Sequence, residues 1–302
     1  MKKILAPMLL LLASLIWGFA FPMQKMVDAV PPMAVIAIRS LIATLFLFPM
    51  VFAFDRLKKN ERHFVSRRGL DITRQEWIGG SLIGLIYGIA SAVQQMGLTG
   101  GTDGGKGAFI SALYVVIVPM IGLCFGRRVR FVVWGGILLA VAGFYLLCIK
   151  GDFTMERSDL LILLCAFLFA FHILTVDHYS IRGDGVRISW IQFVVSTVVM
   201  SVLSLIFEGP VDWSAISSCI LPLLYLGIAS SGIAYTLQIV GQKGTQPAVS
   251  SMILSLESVF GAIGSALLLG EFMETRETIG CAVVFVAVLL AQFPEKKKKE
   301  NT

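Results

Sequence analysis

Residues 252–271 read MILSLESVFGAIGSALLLGE. Nearly every position is apolar or small, and roughly 20 such residues suffice to cross a bilayer as a helix. One residue breaks the pattern: Glu257 lies well inside the run. The surrounding chain sets its context. Of 302 residues, 57% are hydrophobic and only 15% charged, where a soluble domain carries about a quarter charged residues. Mean hydropathy is +0.84, the signature of an integral membrane protein.

Similar apolar stretches recur along the whole chain. The pattern predicts ten spans, at 5–27, 33–54, 77–98, 106–125, 131–149, 159–178, 188–207, 219–241, 247–270 and 277–293. The longest hydrophilic stretch, DRLKKNERHFVSRRGLDITRQE at 55–76, is too short for a catalytic or nucleic-acid-binding module. The net charge of +6 therefore reflects basic loops on one side of a bilayer rather than a nucleic-acid surface. With an even number of spans, nineteen of the 25 Lys and Arg fall on the side of the chain termini, five on the other, and Arg39 falls within a span. This bias predicts that both termini are cytoplasmic. The start, MKKILAPMLLLLASLIWGFA, resembles a signal peptide, but its apolar run continues past Trp17 and Phe21 to Val27. It is longer than a typical signal core, so it is expected to stay as the first helix. Five scattered cysteines form no CxxC and no metal-ligand spacing; neither a metal nor another cofactor is expected.

The halves are related. Shifting the chain by 144 residues brings Gln94 onto Gln238, Gly97 onto Gly241, Ser111 onto Ser255, Gly126 onto Gly270 and Gly136 onto Gly280. Five helices is an odd number, so tandem repeats of five must insert with opposite orientations. The loops agree: RRVR follows Gly126, whereas the acidic EFMETRE follows Gly270. The expected fold is all-α integral membrane, ten transmembrane helices as two inverted five-helix repeats, 1–150 and 151–294, with a basic cytoplasmic tail at 295–302. Rows of small residues, Gly80, Gly84, Gly88 and Ala92 in the third helix and Ala262, Ala266 and Gly270 in the ninth, are suited to close helix packing.

Several segments resemble one family. IWGFAF (16–21), AIRSLIATLFLFP with Arg39, FISALYVVIVP (109–119), GIAYTLQIVGQK (232–243) and SLESVF followed by LLLGE (255–271) are similar to the EamA-type carriers of the drug/metabolite transporter (DMT) superfamily. The resemblance spans residues 5–293. It implies a ten-helix inverted-repeat transporter of the bacterial inner (plasma) membrane, commonly exporting amino acids or other small metabolites. Many members keep a Gly-Glu pair in both halves; this chain has Gly270-Glu271 but Gly126-Arg127.

An ionisable group at a span centre costs about 2.5–3.5 kcal/mol on insertion scales, so each such group calls for a partner or a wet cavity. Glu257, near the midplane, could bind a cationic substrate group or exchange a proton; alternatively it is a structural carboxylate held by Ser255, Ser258 or Arg39. Arg39 could grip a substrate carboxylate or phosphate, or it could snorkel or form a fixed ion pair. His172 carries the side chain that titrates nearest neutrality, which suits proton exchange as well as a structural hydrogen bond. Gln94, Gln95 and Gln238, with Tyr235 one turn before the last, could line two mouths of a central path or simply bridge helices. Trp17 is mid-helix, away from the interfacial belt, as a cavity wall would be. Motifs of ATPases, hydrolases and metalloproteases are missing, so the chain is expected not to be an enzyme. The expectation is secondary export of a small polar metabolite through a central cavity between the repeats, with the bilayer and a small-molecule substrate as partners, possible proton coupling and no nucleic acid. The alternatives are translocation of a lipid headgroup or lipophilic drug, and a non-transporting membrane scaffold or intramembrane enzyme.

Overall fold

The computed structural model describes residues 2–61, 72–102, 104–127, 129–149, 155–270 and 273–292. The tail at 295–302, Glu271, Arg128 and positions 62–71 of the long basic loop lie outside them. Among the described residues the chain is helical with no strand, as hydrocarbon requires of a chain whose backbone groups must pair within their own segment. Among the described residues nine helices are long and apolar enough to cross a membrane: α1 (Ile4–Lys25), α2 (Pro32–Ala53), α3 (Arg74–Thr99), α4 (Gly107–Cys124), α5 (Phe131–Cys148), α6 (Arg157–Ser180), α7 (Gly185–Phe207), α8 (Ile220–Gln242) and α9 (Pro247–Leu268). The protein is thus a multi-pass membrane protein. Where the sequence predicted a tenth span, the chain forms α10 (Thr275–Gln292), with Arg276 and Glu277 in its first turn.

Polar residues punctuate the helices where the apolar runs stop. Thr73 and Glu76 form a capping box that opens α3, satisfying N–H groups left without intrahelical partners. Asp184 accepts from Val186 and Arg187 at the start of α7. Glu208, just past the end of α7, reaches across to the start of α2, accepting from the amides of Met33 at 2.7 Å and Ala34 at 2.9 Å.

Helix packing repeats after five helices. α3 packs on α6 as α8 packs on α1, α4 on α6 as α9 on α1, and α3 on α7 as α8 on α2. The remaining extensive contacts, α2 with α7 and α5 with α10, join each helix to its own counterpart. Glycines aligned by the 144-residue shift make equivalent contacts. A Cβ on Gly97 would fall 2.5 Å from Ile162 of α6, and one on Gly241 2.9 Å from Leu10 of α1. Gly136 and Gly280 both lie in the α5–α10 seam, where a Cβ on Gly280 would meet the Leu147 amide at 2.6 Å. Gly126 and Gly270 both end helices in the left-handed region, at φ +72° and +71°, which glycine adopts without steric cost. The α3 row of small residues faces α7: a Cβ on Gly84 would sit 2.3 Å from the Gln192 carbonyl. On α9 the closest approach, to Gly18 of α1, is made at Phe260 and Gly261, while Ala262 and Ala266 are half-buried beside it.

Candidate functional site

Two counterpart helices, α4 and α9, are each interrupted near the middle by a tight turn, at Leu113 and at Ser255–Leu256. Each resumes immediately, α4 at Tyr114 and α9 at Glu257. The turns bring these two first residues together, and the Tyr114 hydroxyl donates to Glu257 Oε1 at 3.2 Å. The sequence offered Ser255, Ser258 or Arg39 as partners for this carboxylate. The structure gives it the tyrosine instead: Ser255 bonds back to its own helix at the Met252 carbonyl, the Ser258 hydroxyl has no partner among the described residues, and Arg39 is held elsewhere.

Arg39 is held by α8. From Tyr225 to Ala234 that helix is π-wound, a geometry that occurs mostly as short insertions and frequently at functional sites. Within it the neighbouring Ser230 and Ser231 both turn their hydroxyls to Arg39, accepting from Nη2 at 2.8 Å and Nε at 2.9 Å. The Ser230 carbonyl accepts from the Trp17 indole at 3.1 Å. Arg39 is 5% exposed, and its guanidinium sits at a fixed place with neutral partners. Among the described residues no carboxylate pairs with it. Glu257 likewise has a neutral partner and is half-buried.

Both groups open into one cavity, whose non-atom space of about 570 Å³ includes open solvent at its mouth. Seven of the residues singled out in the sequence line it: Trp17, Arg39, Gln94, His172, Tyr235, Gln238 and Glu257; Gln95 is buried and is not part of this lining. One wall is aromatic. The Tyr235 ring lies 4.6 Å from Trp17, 4.8 Å from Tyr87 and 5.7 Å from His172, centroid to centroid. Gln94 and Gln238, expected at opposite mouths, share this single cavity, and Gln94 donates to Ser111 at 3.1 Å. Tyr114, Ser230 and Ser231 are site residues that sequence reasoning missed. Ser231 had a signal available, because it is the 144-residue counterpart of Tyr87, whose hydroxyl lies 3.4 Å away.

The cavity is asymmetric. Where α1 ends and α3 approaches its own end, its lining residues Phe21, Gln24 and Gln94 are half-buried. At the opposite end His172 and Gln238 are buried, and Gln242 closes the wall by donating to the Ile173 carbonyl at 3.0 Å. Beyond that barrier lies a second cavity, lined in part by Val118, Arg127, Leu174 and Pro247. At its edge Arg127 pairs with Asp177 of α6 at 2.6 Å.

The arrangement provides a chamber with separate positive and negative groups, an aromatic wall, one looser end and one closed end. Neither fixed charge neutralises the other by direct contact. A small molecule carrying both charges would supply each with its counter-ion.

Comparisons with known proteins fit this picture. The model of the EamA-like transporter family matches residues 4–149 and again 156–293. Over 294 residues the chain is 29% identical to an uncharacterized transporter of Archaeoglobus fulgidus, covering 96% of this chain and 86% of that protein. It is 27% identical over 207 residues to a chloroplastic WAT1-related protein of Arabidopsis thaliana, covering 64% of this chain and 49% of that one. A solved crystal structure superposes with a TM-score of 0.75 at 19% identity, covering 95% of this chain and 96% of the other; that likeness concerns the fold alone.

Proposed function

The chain belongs to the EamA-like transporter family and is a membrane transporter, and on that premise we propose that it is a secondary carrier exporting a small zwitterionic metabolite, an amino acid or related compound. The observation that carries this reading is the pair of ionisable side chains in one cavity, each with neutral partners only: Arg39 held by two serine hydroxyls and Glu257 by a tyrosine. The substrate's acid group would meet Arg39 and its ammonium Glu257. Trp17 and Tyr235 would pack against its body, with Gln94, His172 and Gln238 completing the wall.

In this reading α10 is the tenth span, and residues 1–150 and 151–294 are five-helix repeats of opposite orientation. The matched contacts and glycines of the two halves support it. Both termini lie in the cytoplasm of a bacterial cell whose inner membrane holds the protein, so the looser end of the cavity faces outward. The Arg127–Asp177 pair and the Gln242–Ile173 bond then close the cytoplasmic side. Alternating access breaks these contacts and seals the other end as the repeats rock about the central site. Glu257 takes up a proton when the ammonium leaves, which couples export to the proton gradient, and no covalent chemistry is catalysed.

Extracellular metabolite profiling tests the reading. Cells expressing the protein should enrich a few small zwitterions in the medium relative to an empty vector. A medium unchanged in zwitterions but altered in lipids or lipophilic cations would overturn it.

A further inference from the structure

Among the described residues, two buried polar atoms in the cavity wall have no hydrogen-bond partner: His172 Nε2 on α6 and Gln238 Oε1 on α8. Their side chains are only 1% and 2% exposed. They belong to one spot. On α8, the Tyr235 ring meets His172 edge to face with centroids 5.7 Å apart, and Gln242 bonds to the backbone of Ile173. Gln238 lies on the same face between those two contacts, so it is held alongside the imidazole. Buried polar atoms in native proteins are almost always satisfied, and when a lining atom is not, the missing partner is a water or a ligand. Gln238 Oε1 can only accept. Whatever fills this end of the cavity must therefore offer a hydrogen-bonding group, a donor where Oε1 faces it, while Ile173 and Leu254 in the same lining offer apolar walls.

We infer that His172 and Gln238 form a third subsite, which selects cargo whose side group ends in a hydrogen-bond donor, a hydroxyl or a primary amide, over cargo ending in a methyl. The inference rests on the proposed anchoring of the charged groups by Arg39 and Glu257. Those anchors leave the substrate's side group as the part free to extend toward the closed end. The donor bonds to Gln238 Oε1, and an oxygen of the same group is available to His172 when Nε2 carries its proton. An alkyl competitor would leave both wall atoms unpaired. Sites built around such a bond discriminate far more strongly than apolar pockets do.

The test uses purified full-length protein in liposomes and isosteric pairs of probes: serine against 2-aminobutyrate, homoserine against norvaline, and asparagine against leucine. Wild type should favour the donor-bearing member by at least about tenfold in kcat/KM. The ratio should collapse toward one in Gln238→Leu and in His172→Leu, each first checked for a monodisperse profile. No preference in wild type would overturn the subsite, with water then satisfying both atoms; so would a preference that survives in both variants. If no probe of any pair is moved, the zwitterion reading itself falls and the subsite with it. Movement without preference sinks the subsite alone.

Discussion

Replacing Arg39 with lysine keeps the charge and removes the fork. In the native protein Nε and Nη2 are committed to Ser231 and Ser230 at 2.9 and 2.8 Å, which aims the guanidinium and leaves Nη1 for an anion. A single ammonium cannot hold both serines and also present a fixed donor to a carboxylate. The variant should lose about one charge-assisted hydrogen bond to the substrate, ~1.5–3 kcal/mol, or roughly 10- to 150-fold in KM at a factor of ten per 1.4 kcal/mol. The assay is competition in proteoliposomes between labelled serine and two unlabelled compounds, serine and ethanolamine, which lacks the carboxylate. Arg39→Lys should weaken serine by that factor and change ethanolamine by less than about threefold, since the lost bond is to the acid group. Equal weakening of both, or of neither, would refute the assignment and make Arg39 a structural tether for the π-wound segment of α8.

Two further substitutions probe the scaffold and the closed end. Gly84→Ala places a Cβ 2.3 Å from the Gln192 carbonyl, whereas Gly135→Ala meets nothing within 4 Å; the first should cost about 1–3 kcal/mol and lower the melting temperature in detergent, and the second should not. Arg127→Ala breaks the half-exposed pair with Asp177, a contact type worth about 0–1 kcal/mol. It should raise thiol labelling of a Leu174→Cys reporter by up to roughly fivefold, with Asp177→Asn giving the same effect and the double variant no more.

The membrane fold and its repeat were legible because they rest on signals that survive without coordinates. Apolar length and basic-loop bias mark the spans. Gly97, Gly241 and Gly280 each face another helix too closely for a side chain, and Gly136 faces one tightly. The lining residues were legible for a related reason: a polar side chain inside an apolar span needs a reason to be there, and for these seven the reason is one shared cavity. Their partners were harder to read. A π-wound segment leaves the hydropathy of YLGIASSGIA unchanged, so hydropathy gave no sign that Ser230 and Ser231 would point the same way, and only the register of Ser231 with Tyr87 hinted at one of them. Tyr114 is missed for a different reason. A tyrosine in an apolar run reads as ordinary packing until the turns at Leu113 and Leu256 bring it to Glu257.

The most direct measurement of the central claim is counterflow of labelled serine into proteoliposomes preloaded with unlabelled serine, wild type beside Glu257→Gln. Counterflow needs only binding and alternating access, so the absence of a gradient cannot mask it. Wild type should accumulate label transiently above equilibrium, and Glu257→Gln should lose at least about tenfold of the initial rate, the charge-assisted bond to the ammonium being gone. Equal counterflow by both proteins would remove Glu257 from the substrate site, and none by wild type with any zwitterion would contradict the account.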